Sequence, residues 1–184
     1  MIKPGTGTLL IAEPFLKDPN FIRTVVLICR HEDAEGTFGF VVNKLFHQTL
    51  DQLIPELAGY PLPIFTGGPV QMDTLHYLHQ YPDLLPESQE IADGIYWGGN
   101  FETLKSLIAA NEIDTEKIKF FLGYSGWEKG QLDNEMDVKS WLTTGSNEKL
   151  IFQTPMEEIW KECLRTLGGK FEMMINFPID PQLN

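Results

Sequence analysis

Cysteine is scarce in this sequence. Cys29 and Cys163 are the only two in 184 residues, and neither stands in a Cys-x-x-Cys arrangement. That weighs against a disulfide scaffold or a thiolate metal centre and predicts two reduced core thiols. Basic residues are also few: 14 Lys and Arg against 26 Asp and Glu leave a formal net charge of −12. With no Lys/Arg cluster to offset it, such a surface repels phosphate backbones and anionic membranes, so neither direct nucleic-acid binding nor a membrane partner is expected. No apolar run approaches the roughly 20 residues of a membrane-spanning helix. The N-terminus lacks a charged region followed by an apolar one, and the expected compartment is the cytoplasm. Phosphate-binding glycine motifs of the Walker and dinucleotide kinds are absent, which removes support for a nucleotide fold. Histidine occurs four times, as His31, His47, His76 and His79. His31 adjoins Glu32, Asp33 and Glu35 without the alternating spacing of a calcium loop, and His76 and His79 point to opposite faces if their segment is a strand. No metal and no cofactor is expected.

What is present is a large apolar inventory: 42% hydrophobic residues, with 12 Phe, 5 Tyr and 4 Trp. This suffices for one sizeable core. Apolar runs over 8–12, 23–29 and 37–43 predict three strands, the last two a hairpin around the charged loop at 31–36. A helix is predicted over 48–57, with Thr49 and Gln52 as a capping box. Further strands are predicted over 61–65, 74–79 and 91–97, with a proline-containing acidic loop over 81–90. Asn100 is a helix N-cap before Phe101, Leu104, Leu107 and Ile108 on one face. Residues 149–152 predict a short strand or turn. Thr154 as N-cap, Pro155 at the first helical position and Glu157 open a last helix, which Gly168-Gly169 stops. The whole reads as α+β: a mixed, strongly curved sheet with flanking helices, one domain over 1–172 and a tail over 173–184 that docks or stays mobile.

The chain is organised around the stretch 120–132. Ile118, Phe120, Phe121 and Leu122 predict a buried strand, and Gly123, Gly126 and Gly130 predict a shaped aromatic turn displaying Tyr124 and Trp127. A short helix from Gln131 and a strand through Ser140, Trp141 and Leu142 follow. Ser125 suggests a nucleophile elbow, but Trp127 stands where the second glycine of Gly-x-Ser-x-Gly belongs and would crowd the required turn. Gly67-Gly68-Pro69 is a tight turn or a backbone nest for an anion. Arg23 opens a buried strand beside Thr24. It either pairs with Glu135 or Asp133 or offers its fork to an anion, with Asn43 nearby if the hairpin forms.

Gly-Tyr-Ser-Gly-Trp-Glu-Lys-Gly-Gln-Leu with Ser140-Trp141-Leu142 resembles the YqgE/AlgH family of small bacterial proteins. So do the strand pair through Arg23 and Asn43, the Thr66-Gly67-Gly68-Pro69-Val70 segment, and the Ile-Phe-Gln-Thr-Pro entry to the last helix. The resemblance runs from about Gly7 to about Leu167. It implies the fold and, since some members are named transcriptional regulators, a regulatory role. The expectation is a non-catalytic protein receiving a small anionic ligand, or a protein partner, in a cleft. That cleft would be walled by Arg23, Thr24, Asn43, Gly67, Gly68, Tyr124, Ser125, Trp127 and Gln131. The alternatives are a hydrolase using Ser125 or a carboxylate, and a direct DNA-binding regulator.

Overall fold

The two longest aliphatic runs of the sequence are its most deeply buried strands. All five residues of β1 (Thr8–Ala12) and the first five of β2 (Val25–Glu32) are buried, so both faces of this part of the sheet must be covered. The structure, a computed structural model, describes residues 1–32 and 34–178. Its remaining strands are β3 (Gly36–Val41), β4 (Leu45–Thr49), β5 (Pro63–Thr66), β6 (Val70–His79), β7 (Ser88–Ala92), β8 (Ile95–Gly98), β9 (Ile118–Trp127) and β10 (Trp141–Gly145). The helices are α1 (Leu50–Leu53), α2 (Phe101–Ala109), α3 (Gln131–Asp137), α4 (Met156–Leu167) and α5 (Lys170–Met173).

The strands join one ten-stranded sheet in the order β10-β1-β2-β3-β9-β6-β8-β7, with β5 also on β9 and β4 on β5. Among the described residues only β5 and β9 run parallel, so the sheet is mixed. It curls into a half-barrel: a Cβ on Gly7, just before β1, would lie 2.7 Å from the Ile91 carbonyl oxygen in β7. Side-chain alternation separates the two faces. Leu9, Ile11, Val25, Leu27, Cys29 and Phe40 pack under Ile159, Trp160, Cys163 and Leu164 of α4. Leu10, Ala12, Val26, Ile28 and Val41 pack against Trp127, Trp141 and Leu132 of α3. A third cluster lies under α2, where Leu104 and Ile108 meet Ile64, Tyr77 and Phe120. Both cysteines are buried free thiols.

Several expectations change. The helix over 48–57 is instead the end of β4, a single helical turn and a 3-10 turn over Pro55–Leu57. Pro55 lacks an N–H and cannot continue a helix, although the Thr49–Gln52 capping box forms. The strand over 91–97 is a hairpin of β7 and β8 turning at Gly94, whose φ is +71°; β7 thus takes the end of the acidic loop. Residues 123–127, expected as a turn, continue β9. Gly123, with φ +65°, bends the strand between its parallel pairing with β5 at 120–122 and its pairing with β3 at 125–127. Residues 149–153 form a π-helical turn, and Thr154 closes it, its hydroxyl donating to the Lys149 carbonyl at 3.1 Å, so Pro155 takes the N-cap position of α4. In the expected tail, Phe177 stacks on Phe15 at 5.5 Å; residues 179–184 lie outside the described residues.

Candidate functional site

Arg23 and the aromatic stretch do not share a hollow. Arg23 has φ +50° just before β2. Its guanidinium lies 5.0 Å over the Trp160 ring on the α4 face and donates to the Phe177 carbonyl. Trp127 lies on the other face, against Phe21 and Trp141. The two also sit at opposite ends of the β2–β3 hairpin: Val26 pairs with Val41 near Arg23, while Thr37 pairs with Trp127. Among the described residues no carboxylate pairs with Arg23 and its buried Nε has no partner. Glu135, expected as one such carboxylate, accepts from the Trp127 and Trp141 indoles at 2.8 and 2.7 Å and from the Gln131 amide at 3.0 Å. That clamp ties α3 to β9 and β10.

The other candidates divide by role. Asn43 is a backbone brace: Nδ2 donates to the Arg23 carbonyl at 2.9 Å and Oδ1 accepts from Val25 N–H at 2.8 Å. The Thr24 hydroxyl donates to the Phe21 carbonyl at 3.0 Å. Ser125 is fully buried, its hydroxyl donating to the Gly67 carbonyl at 3.0 Å. Gly67 and Gly68 lie where β9 passes too close for a side chain; a Cβ on Gly68 would sit 2.2 Å from the Tyr124 carbonyl.

Tyr124, Trp127 and Gln131 do line one cleft, of about 660 Å³, together with Arg30, Phe38, His76, Trp97, Glu35 and Glu128. Arg30, Phe38, His76, Trp97, Tyr124 and Trp127 come from β2, β3, β6, β8 and β9, which the curl brings to one end of the sheet, while Glu35 and Glu128 lie in loops and Gln131 opens α3. Its wall is aromatic: Phe38 meets Trp97 at 4.9 Å and Tyr124 at 5.9 Å, both edge-on. The Arg30 guanidinium, half exposed, lies 5.2 Å over the Phe38 ring. His76 is set among Phe40, Trp97 and Tyr124. Burial lowers its pKa below the usual 6.5, so the imidazole is neutral at pH 7, and its buried Nε2 has no hydrogen-bond partner among the described residues. An unmet buried polar atom costs about 1–3 kcal/mol and calls for a reason other than stability.

One further group escaped the sequence reading. Lys119 is buried in β9, 7% exposed, between Ile118 and Phe120. Its ammonium donates to the Ile151 carbonyl at 3.1 Å and lies 4.2 Å over the Phe65 ring. Burial pushes its pKa down to about 7. A lone lysine inside an apolar run was the available signal.

The fold defines the class first: an α+β protein built on one curled, mixed sheet with helices on both faces. The family follows from comparison. The AlgH-like family profile matches residues 9–172, and the chain belongs to that family. The UPF0301 protein of Cytophaga hutchinsonii is 41% identical over 179 residues, covering 97% of this chain and 98% of its own. That of Chlorobaculum parvum is 39% identical over 178 residues, covering 97% and 95%. Among solved structures, the AlgH protein from Pseudomonas aeruginosa superimposes with a TM-score of 0.73 at 28% identity, covering 97% of this chain and 98% of that one. Protein DIP2367 from Corynebacterium diphtheriae reaches 0.79 at 19% identity, covering 96% and 94%, a likeness of fold. No helix among the described residues is long and apolar enough to cross a membrane.

Proposed function

We propose that this is a cytoplasmic binding protein whose aromatic cleft receives a small flat ligand carrying an anionic group. The observation that carries the reading is the wall itself: Phe38, Trp97 and Tyr124 around a neutral imidazole whose buried nitrogen is unpaired. Aromatic edges and faces suit a planar apolar body. Arg30, on the rim, supplies the charge-assisted hydrogen bonds an anion takes, while Glu35 and Glu128 favour donors at the other side of the ligand. The cleft size falls within the ordinary range for small-molecule sites. The regulatory role implied by the family would follow from the state of this cleft. A protein of net charge −12 acts in such a role through a protein partner more readily than through DNA.

A thermal-shift screen of aromatic monocarboxylates, beginning with benzoate and phenylpyruvate, tests the reading. Binding should raise the midpoint, and Arg30→Ala and Tyr124→Ala should each weaken it about 10- to 100-fold, the loss expected for a charged hydrogen bond or an aromatic wall. Arg23→Ala, at the other end of the β2–β3 hairpin, should leave it unchanged. No hit, or hits that both folded variants retain, would sink the proposal.

A further inference from the structure

A smaller cleft lies behind the aromatic one, across the 67–70 segment. It measures about 340 Å³ and is lined by Asn20, Val41, Lys44, Thr66, Gly68 and Met72, with Pro69 at its side. No Asp or Glu lines it, in a chain with 26 of them against 14 Lys and Arg. Lys44 forms no ion pair among the described residues; its polar contact is the Asn20 carbonyl at 3.5 Å, a long one. The acid next to it in the loop, Asp18, is turned to the Asn20 N–H at 2.9 Å.

Two more donors meet Lys44 there. Gly68 is buried, yet its N–H finds no acceptor among the described residues, while neighbouring Gly67 N–H donates to the Leu122 carbonyl at 2.8 Å. Orphaned buried N–H groups are rare. The Thr66 hydroxyl is likewise without a protein partner. The backbone that carries these groups is held firmly: Thr66 N–H donates to the Lys44 carbonyl at 2.7 Å, and Val41 N–H to the Gly67 carbonyl at 2.8 Å. The tight packing of Gly68 on Tyr124 explains the glycine. It does not explain why a lysine without an ion pair and a threonine with a free hydroxyl line one hollow, among the described residues, without an acid beside them. Cations and backbone dipoles left unopposed in a concavity favour an anion.

We infer that this cleft is a second binding site, selective for small aliphatic carboxylates. Lys44, Thr66 and the Gly68 N–H bind the carboxylate, and Met72, an exposed side chain, and Pro69 cover a short hydrocarbon chain. Carboxylates rather than inorganic oxyanions follow from that floor, since a phosphate leaves its apolar surface uncovered.

The test is an amide NMR titration of the full chain at pH 7 and constant ionic strength, with butyrate, phosphate and chloride in separate arms. Butyrate should give saturable shifts centred on the Lys44, Thr66 and Gly68 amides. Lys44→Gln and the isosteric Thr66→Val, both with spectra otherwise unchanged, should weaken butyrate at least tenfold and severalfold respectively. Arg30→Ala should bind butyrate as the parent does, which separates this site from the aromatic cleft. Chloride reproducing the shifts, or Lys44→Gln binding butyrate with parental affinity, would overturn the site. Phosphate binding more tightly than butyrate would overturn the carboxylate assignment.

Discussion

Replacing Lys119 by methionine should stabilise this protein, and more at neutral than at high pH. The unfolded chain keeps the lysine near its ordinary pKa of 10.5, whereas in the folded protein burial lowers it to about 7. The sign follows from proton binding. Below about pH 7 both states are protonated, and the folded state bears the full penalty of a buried ammonium. Between about pH 7 and 10.5 the unfolded state holds more protons, so stability rises with pH. Above 10.5 both are neutral and the penalty is gone. At about 1.4 kcal/mol per pH unit of separation, the penalty at pH 7 is at most about 4.5 kcal/mol. The Ile151 carbonyl, which accepts from Lys119 at 3.1 Å, would lose its partner in the variant and take back about 1 kcal/mol. The Phe65 ring beneath the ammonium exchanges a cation–π contact for a thioether one of similar size. A net gain of about 2–3 kcal/mol remains at pH 7. Urea denaturation of parent and variant from pH 6 to 10 reads this directly. The parent should gain stability across that window relative to the variant, and the difference should shrink towards zero at the alkaline end. A variant less stable than the parent at pH 7, or parallel pH profiles, would refute the reasoning, because either means that the ammonium is well solvated or paired.

Substitutions at two other residues probe the frame around the clefts. Glu135→Ala removes the acceptor shared by the Trp127 and Trp141 indoles and the Gln131 amide. It should cost about 2–4 kcal/mol in urea denaturation, since two buried indole donors lose a charged partner; a loss under about 0.5 kcal/mol would mean water replaces it freely. Asn43→Ala should cost about 1–3 kcal/mol by the same measurement, because the side chain braces Arg23 and Val25. Asn43→Asp, which keeps the acceptor for Val25 N–H, should cost less; if it costs as much as alanine, the Arg23 carbonyl contact is the one that matters.

How much was legible is clearest at particular residues. Asn100 caps α2 through its side chain, accepting from Thr103 N–H at 2.9 Å, as Asn before an apolar-faced run predicts, because that bond needs only local geometry. The Thr49–Gln52 capping box forms for the same reason, yet the helix it starts ends within a turn, since Pro55 outweighs the apolar spacing beyond it. The Asp93-Gly94 pair was a hairpin signal that a continuous strand over 91–97 passed over. The stretch 123–127 misled in the opposite sense: its glycines mark a bend and close backbone approaches inside a strand, not a turn. In the cleft, Tyr124, Trp127 and Gln131 were visible as an aromatic, glycine-spaced motif. Arg30, Phe38, His76 and Trp97 were not, because each lies on a different strand whose neighbour is set by pairing far along the chain.

Within one segment, the pattern of apolar side chains, the caps and the turn residues settle burial and backbone angle, since these depend on contacts a few residues away. On that basis the residues themselves determined an α+β chain, its buried strands, the start of α2 and membership of a recognisable family. The order of the strands was decided only in three dimensions, where β9 joins β3, β5 and β6 at once. Those pairings rest on hydrogen bonds and packing between residues 39 to 90 positions apart, and no local pattern specifies which partner a strand will take. That choice separated Arg23 from Trp127, placed His76 beside Tyr124, and buried a lysine where the chain shows only one charge in an apolar run.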